Sequence, residues 1–347
     1  MKRKINTAII LAATIFSDWS ALLLPLYLSF VFINGTFKLK KRELFPFVSL
    51  ILIAIIYSYL GFMKTETIFV IKNSLIFWLL PTIFLIKNYQ VSLRVINLLI
   101  RILYTQCLIV IALHLLGVDV YNREGMFSFM LGYYSGGGTV VLFRFYSYKL
   151  VLLMSLIIIR FTYFKYSPER SFLNLLVSVL ISGSKALSLS LVSSLVALIR
   201  KTNGMRKIIL LTVVLFVMLG ASVFYPIVPL ILAAFDPSDV SNETRLSVYQ
   251  TLLLDPVSLM IGNGFGHPLP SSLIRDPARP YGYEISYISY MHKIGLFLFY
   301  VAWVLARKLD LKGLLALMPV WLAAFCNPTL SHLYNLFLFS IIIGSRK

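Results

Sequence analysis

Acidic residues are scarce in this 347-residue chain. Thirteen Asp and Glu stand against 32 Lys and Arg, and charged residues of both signs make up only 13%. So few charges exclude a soluble globular domain, which carries about 25%. Cysteine is nearly missing as well. Cys107 and Cys326 both fall in apolar runs, which excludes a disulfide framework and leaves two lone buried thiols. With four histidines, no His/Cys cluster and Asp18 alone in the first polar turn, the sequence offers no metal constellation. It has no internal repeat and no low-complexity tract. The basic head MKRK leads into an apolar run without a small-residue cleavage site, and so reads as an uncleaved first span.

Apolar side chains are what the sequence has in abundance. They make up 59% of it, and the mean hydropathy is +0.87, which predicts an all-α polytopic membrane protein, a single integral membrane domain over residues 1–347. Twelve apolar segments predict about 12 transmembrane helices: 5–17, 20–36, 44–62, 67–86, 95–117, 140–160, 171–182, 186–200, 206–227, 288–306, 313–325 and 330–344. Several are shorter than the ~20 residues that cross a ~30 Å hydrocarbon core, and these would be half-helices or thin hairpins. The net charge of +19 is no nucleic-acid footprint, because the cations sit in short clusters between apolar runs rather than on one face.

Those clusters set an orientation. With the N-terminus in the cytoplasm, 21 of the 32 basic residues lie inside, at Lys2–Lys4, Lys38–Arg42, Lys87 and Arg94, Arg160–Arg170, Arg200–Lys207, Arg307–Lys312 and Arg346–Lys347. Residues 5–36 must then form a hairpin turning at Ser17–Ser20, and both termini are cytoplasmic. Residues 228–287 become one long extracytoplasmic (periplasmic) loop. Lys72, Arg101, Arg144 and Lys149 remain within marked spans without an assigned role.

The long loop holds the polar chemistry. In SNETRLSVYQTLLLDPVSLMIGNGFGH, Asn242 reads as an N-cap and Arg245 lies in the first helical turn, against the dipole. Arg245 has two readings: a salt bridge to Glu243 or Asp239, or bidentate recognition of a phosphate. Lys185, after Ser182-Gly183-Ser184 on a short outer hairpin, is either an interfacial snorkelling lysine or an anion site at a helix start. Gly262, Gly264 and Gly266 lack a preceding strand, so they are no dinucleotide fingerprint. They form either a tight turn at a helix end or an anion-holding nest. His267 is a surface histidine or a base. His114, His292 and His332 read as structural. Among the outward-facing carboxylates, Glu284 lies where the loop returns to the membrane, and Asp255-Pro256 reads as a turn.

Taken in order, these pieces resemble the superfamily of O-antigen ligases and Wzy-type O-antigen polymerases, from about Arg123 to Gly295. SGSKALSLSLVSSLVAL is similar to that family's serine–arginine–small-residue turn, with Lys185 in place of arginine. ETRLSVYQTLLLDPVSLMIGNGFG is similar to its arginine–leucine segment, acidic-proline turn and glycine-rich end, and Arg245 matches its arginine. YEISYISYMHKIGLFLFY resembles the stretch that re-enters the membrane. Ligases commonly carry a histidine at the start of that stretch, where this chain has Tyr283-Glu284, a departure that favours the polymerase branch.

The resemblance implies a GT-C-like glycosyltransferase in the bacterial cytoplasmic membrane, joining undecaprenyl-diphosphate-linked oligosaccharide repeat units at the outer face. Arg245 and Lys185 would stabilise the departing diphosphate, and Glu284, or else His267, would act as base. Arg123, Arg275 and Arg279, with His267 if it is not the base, would bind substrate. No metal, cofactor or nucleic acid is expected. Lipid-linked glycans and membrane lipid are the expected partners, with a chain-length regulator and a flippase beside them. An O-antigen ligase and a flippase or transporter of the same lipid-linked sugar are the alternatives.

Overall fold

The computed structural model describes residues 2–17, 20–36, 38–87, 89–116, 133–135, 144–146, 148–167, 170–171, 173–175, 177–178, 240–268, 286–324 and 332–346. The expected spans over 186–200 and 206–227 lie wholly outside them, and so does half of the span expected over 171–182. The chain is mostly helical. Among the described residues its helices are α1 (Lys2–Ile15), α2 (Ser20–Asn34), α3 (Lys41–Phe62), α4 (Thr67–Leu79, extended by a 3-10 turn over Leu80–Phe84), α5 (Leu93–Leu115) and α6 (Tyr148–Phe164). After these come α7 (Val240–Leu253), α8 (Pro256–Ile261), α9 (Ser286–Ile294), α10 (Phe297–Lys308), α11 (Leu311–Ala323) and α12 (Tyr334–Ser345).

A small antiparallel hairpin, β1 (Tyr133–Ser135) with β2 (Arg144–Tyr146), precedes α6. Within the segment expected as a helix from residue 140, Arg144–Tyr146 is therefore a strand and α6 runs from Tyr148, so Arg144 lies on a strand rather than in a span. Among the described residues, α3, α4 with its 3-10 turn, and α5 are long and apolar enough to cross a membrane. The pair α9–α10 passes the same test only as one span bent by 116°.

Two helices form the centre. Residues 149–162 of α6 are all buried, and so is nearly all of α12, an apolar helix with no polar face. A helix that is apolar all round must be surrounded. Accordingly α6 packs against α5, α11 and α12, while α12 also meets α1, α2 and the 3-10 turn. Two pairs of polar groups inside this core satisfy one another, which offsets the cost of burying them. Asn6 and Asn34 exchange amide hydrogen bonds at 2.8 Å in both directions, which closes the α1–α2 hairpin expected from charge. Thr14 Oγ1 and Tyr334 hydroxyl lie 2.6 Å apart.

Charge gathers at one end of the bundle. Glu43 at the start of α3 meets Lys308 of α10 at 2.8 Å and Lys87 at 3.2 Å. Arg346 after α12 meets Asp310, which caps α11, at 3.2 Å. Arg3 of α1 donates to Gln90 Oε1 at 3.2 Å. These are members of the clusters that the sequence assigns to one side, and the helices carry them to one basic end.

Candidate functional site

The candidate site lies at the other end, on the turn of residues 63–66 between α3 and α4. Asp255 caps α8, accepting from the Ser258 amide at 3.1 Å and from the Ser258 hydroxyl. Those bonds hold its carboxyl below the usual carboxylate range. With Pro256 opening the helix, Asp255-Pro256 is structural.

The six-residue α8 ends at Gly262, and the glycine run then folds against the α3–α4 corner. Gly262, Gly264 and Gly266 have φ of +86°, +97° and +77°. A Cβ on Gly264 would stand 2.4 Å from the Gly61 amide nitrogen, and one on Gly266 would stand 2.7 Å from that of Val70. Glycine is required twice over here, for the left-handed backbone and for backbone-to-backbone approach. Between them Phe265 is fully buried, with its ring 4.9 Å from that of Phe77 and its amide donating to the Tyr57 carbonyl at 2.9 Å. The amides of Gly262, Asn263, Gly264 and Phe265 all donate to backbone carbonyls. That decides the open alternative: the run is a docking turn, since a nest would need those donors free.

Two of the accepting carbonyls, His292 and Lys293 at 2.9 Å each, belong to the end of α9. There the expected span over 288–306 breaks. Gly295 turns with φ +59°, and the Leu296 amide donates to the Met260 carbonyl at 3.0 Å. A broken helix inside a membrane must have its freed backbone groups satisfied by protein. The loop does so. The segment is therefore two helices, and only the twelve residues of α10, about 18 Å at 1.5 Å each, separate the break from the basic end.

Polar side chains line this junction. Lys64 Nζ donates to Asn263 Oδ1 at 3.2 Å, and Asn263 Nδ2 lies 3.0 Å from His292 Nε2. With its oxygen engaged by Lys64, Asn263 presents its NH2, so His292 Nε2 is the accepting nitrogen. The His267 ring lies 5.3 Å from that of His292. Burial lowers the pKa of His267, and the Lys64 ammonium adds to the effect. Lys293 is 2% exposed and donates to Ser289 Oγ at 2.7 Å. The junction thus combines two lysine amino groups with an imidazole whose surroundings favour its neutral form, a set able to hold an anion and accept a proton.

Of the expected site residues, His267 is at this junction. Arg245 is on α7, which packs against α8 and α9. The helix opens at Val240, so Asn242 is already inside it and is not its N-cap, and Arg245 lies beyond the first turn. Lys185, Glu284, Arg123, Arg275 and Arg279 lie outside the described residues. Lys64, Asn263 and Lys293 were not singled out from the sequence, and His292 read as structural. The signal available for two of them was His292-Lys293, two ionisable residues within an apolar stretch. Among the described residues no group of three His, Cys, Asp or Glu is arranged to hold a metal ion. No protein-family model, no curated protein and no solved structure matches the chain.

Proposed function

We propose that the protein is a surface-polysaccharide (O-antigen) polymerase, a GT-C-like glycosyltransferase acting on undecaprenyl-diphosphate-linked repeat units. The observation that supports this most is the junction itself. A broken span is braced by a polar turn carrying Lys64, Lys293, His267 and His292, beside the helix of Arg245 and at the end opposite the basic clusters. On the orientation that Lys and Arg favour, that is the outer face of a bacterial cytoplasmic membrane, with both termini inside.

In the reaction, an acceptor hydroxyl oxygen bonds to the anomeric carbon of the donor glycan. The carbon–oxygen bond to the lipid diphosphate breaks, and the electron pair leaves with the diphosphate. Arg245 and Lys185 stabilise that anion, the preorganised electrostatic contribution that commonly dominates such steps. Glu284 takes the acceptor proton. His267, kept neutral by its surroundings, is the alternative base. Arg123, Arg275 and Arg279 guide the second lipid-linked unit, a flippase delivers the units and a chain-length regulator sets the product length.

Broken helices are also a transporter device, so movement of the same lipid-linked glycan is the second reading. Gel profiling of surface polysaccharide from cells lacking the gene separates the two. A single-repeat band in the deletion, restored to a ladder by wild type but not by Arg245→Ala or Lys185→Ala at matched protein level, is the expected result. Loss of one such contact costs about 10²–10³-fold in rate. Absence of repeat units at the outer face means transport, and full-length glycan held on carrier lipid means ligation. Either result overturns the polymerase reading.

A further inference from the structure

At the basic end a cavity of about 520 Å³ opens between the first turn of α3, the 3-10 turn after α4, and the last turns of α10 and α12. Small-molecule sites span about 300–1,000 Å³. Four cations line it, Arg42, Arg307, Lys308 and Arg346, against the one carboxylate of Glu43. Glu43 is already bridged by Lys308 and Lys87. Arg346 is occupied by Asp310 and by the Lys308 carbonyl, to which it donates at 2.8 Å. Arg42 and Arg307 form no ion pair among the described residues. Arg307 instead lies over the Trp303 ring, 4.7 Å from its centroid.

The rest of the lining is apolar and open to the outside of the bundle. Phe45 is 71% exposed and Trp303 50% exposed, on helices long and apolar enough to cross a membrane, α3 by itself and α10 together with α9. Two guanidinium groups without a carboxylate call for an anion, and phosphate suits their bidentate geometry. Exposed aromatic flanks call for hydrocarbon. We propose that this cavity binds one anionic phospholipid of the surrounding bilayer, with its phosphate on Arg42 and Arg307 and its acyl chains along Phe45 and Trp303. Charge complementarity selects that occupant: a zwitterionic lipid leaves the excess positive charge unanswered, and a soluble phosphate leaves the aromatic flank uncovered. The site lies at the end of the bundle opposite the His267–Lys293 junction, so it stands whether or not the glycan reading holds.

The test uses the purified full chain in detergent, titrated with phosphatidylglycerol, phosphatidylcholine or glycerol 3-phosphate and followed by native mass spectrometry. Wild type is expected to bind phosphatidylglycerol about 30-fold more tightly than phosphatidylcholine, and Arg42→Ala/Arg307→Ala should lose that preference. Glycerol 3-phosphate should not compete. Equal affinity for the two lipids, or a preference that survives in the double variant, overturns the proposal. Competition by glycerol 3-phosphate also overturns it, by assigning the cavity to a soluble phosphate. If the double variant does not fold, brominated phosphatidylglycerol is added to wild type and to Trp303→Phe. Quenching of the Trp303 contribution supports the site, and no quenching overturns it.

Discussion

His267 stands out at the scale of single residues because its environment selects one protonation state. The ring is half-buried beside His292, Lys64 and Lys293, with Asp255 as the nearby counter-charge, and its Nδ1 is buried without a hydrogen-bond partner among the described residues. Its folded-state pKa lies below the ordinary 6.5, so the unfolded chain takes up a proton first as pH falls. The stability it contributes is therefore full above about pH 6.5 and is lost as pH drops through the lowered value. Apparent Tm in detergent should fall from pH 7 to pH 5 more steeply for wild type than for His267→Gln. Parallel profiles for the two proteins would mean that His267 titrates normally. A neutral imidazole at pH 7 is also what a proton acceptor needs, which is why it remains the alternative base.

At the scale of elements, the glycine-rich turn and the break between α9 and α10 are one device. Gly61 and Gly264 face each other across it. A Cβ on Gly61 would lie 2.2 Å from the Phe265 carbonyl oxygen, and one on Gly264 2.4 Å from the Gly61 amide nitrogen. Either alanine forces the turn off the α3 corner, with an overpacking cost of about 1–3 kcal/mol each. Because each separately displaces the same contact, Gly61→Ala/Gly264→Ala should cost less than the two single changes together. Apparent Tm of the four proteins measures this, and strict additivity would show that the turn and the corner are not coupled.

The sequence announced the turn but not its partner. Three alternate glycines before a histidine reveal a backbone in unusual conformations, whereas nothing local reveals which carbonyls it caps. For the same reason 288–306 reads as one span: His292-Lys293 is a short interruption of an apolar run that resumes at Ile294, and the hydrogen bonds that permit a break come from the loop of residues 260–264, distant in sequence. The segments 44–62, 67–86, 95–117, 313–325 and 330–344 were legible to within a few residues, because long apolar runs bounded by Lys, Arg or polar turns leave few alternatives. Lys64 and Asn263 carried no such signal. Each is an ordinary loop residue until the fold puts them 3.2 Å apart.

At the scale of the whole molecule, charge and chemistry divide between the two ends. Glu43 ties the start of α3 to the end of α10 and to Lys87, and Arg346 ties the end of α12 to the start of α11. Of these helices, α3 and α10 connect the Glu43–Lys308 pair with the Lys64–Asn263 contact and the Gly295 break at the other end. If the basic end faces the cytoplasm, single cysteines placed at Lys4 and Lys312 should react with a membrane-impermeant maleimide only after the membrane is opened. A cysteine at Asp255 should react in intact spheroplasts. Cys107 and Cys326 are replaced beforehand so that the introduced thiols alone report. Labelling of positions 255 and 312 from the same side would break the two-ended arrangement, since α10 and the start of α11 separate the Gly295 break from the Asp310 cap. Labelling of Lys4→Cys and Lys312→Cys from outside, with Asp255→Cys protected, would keep the fold and invert its orientation. The junction would then face the cytoplasm instead of the outer face on which the proposed polymerase acts, and the polymerase reading would fall with it.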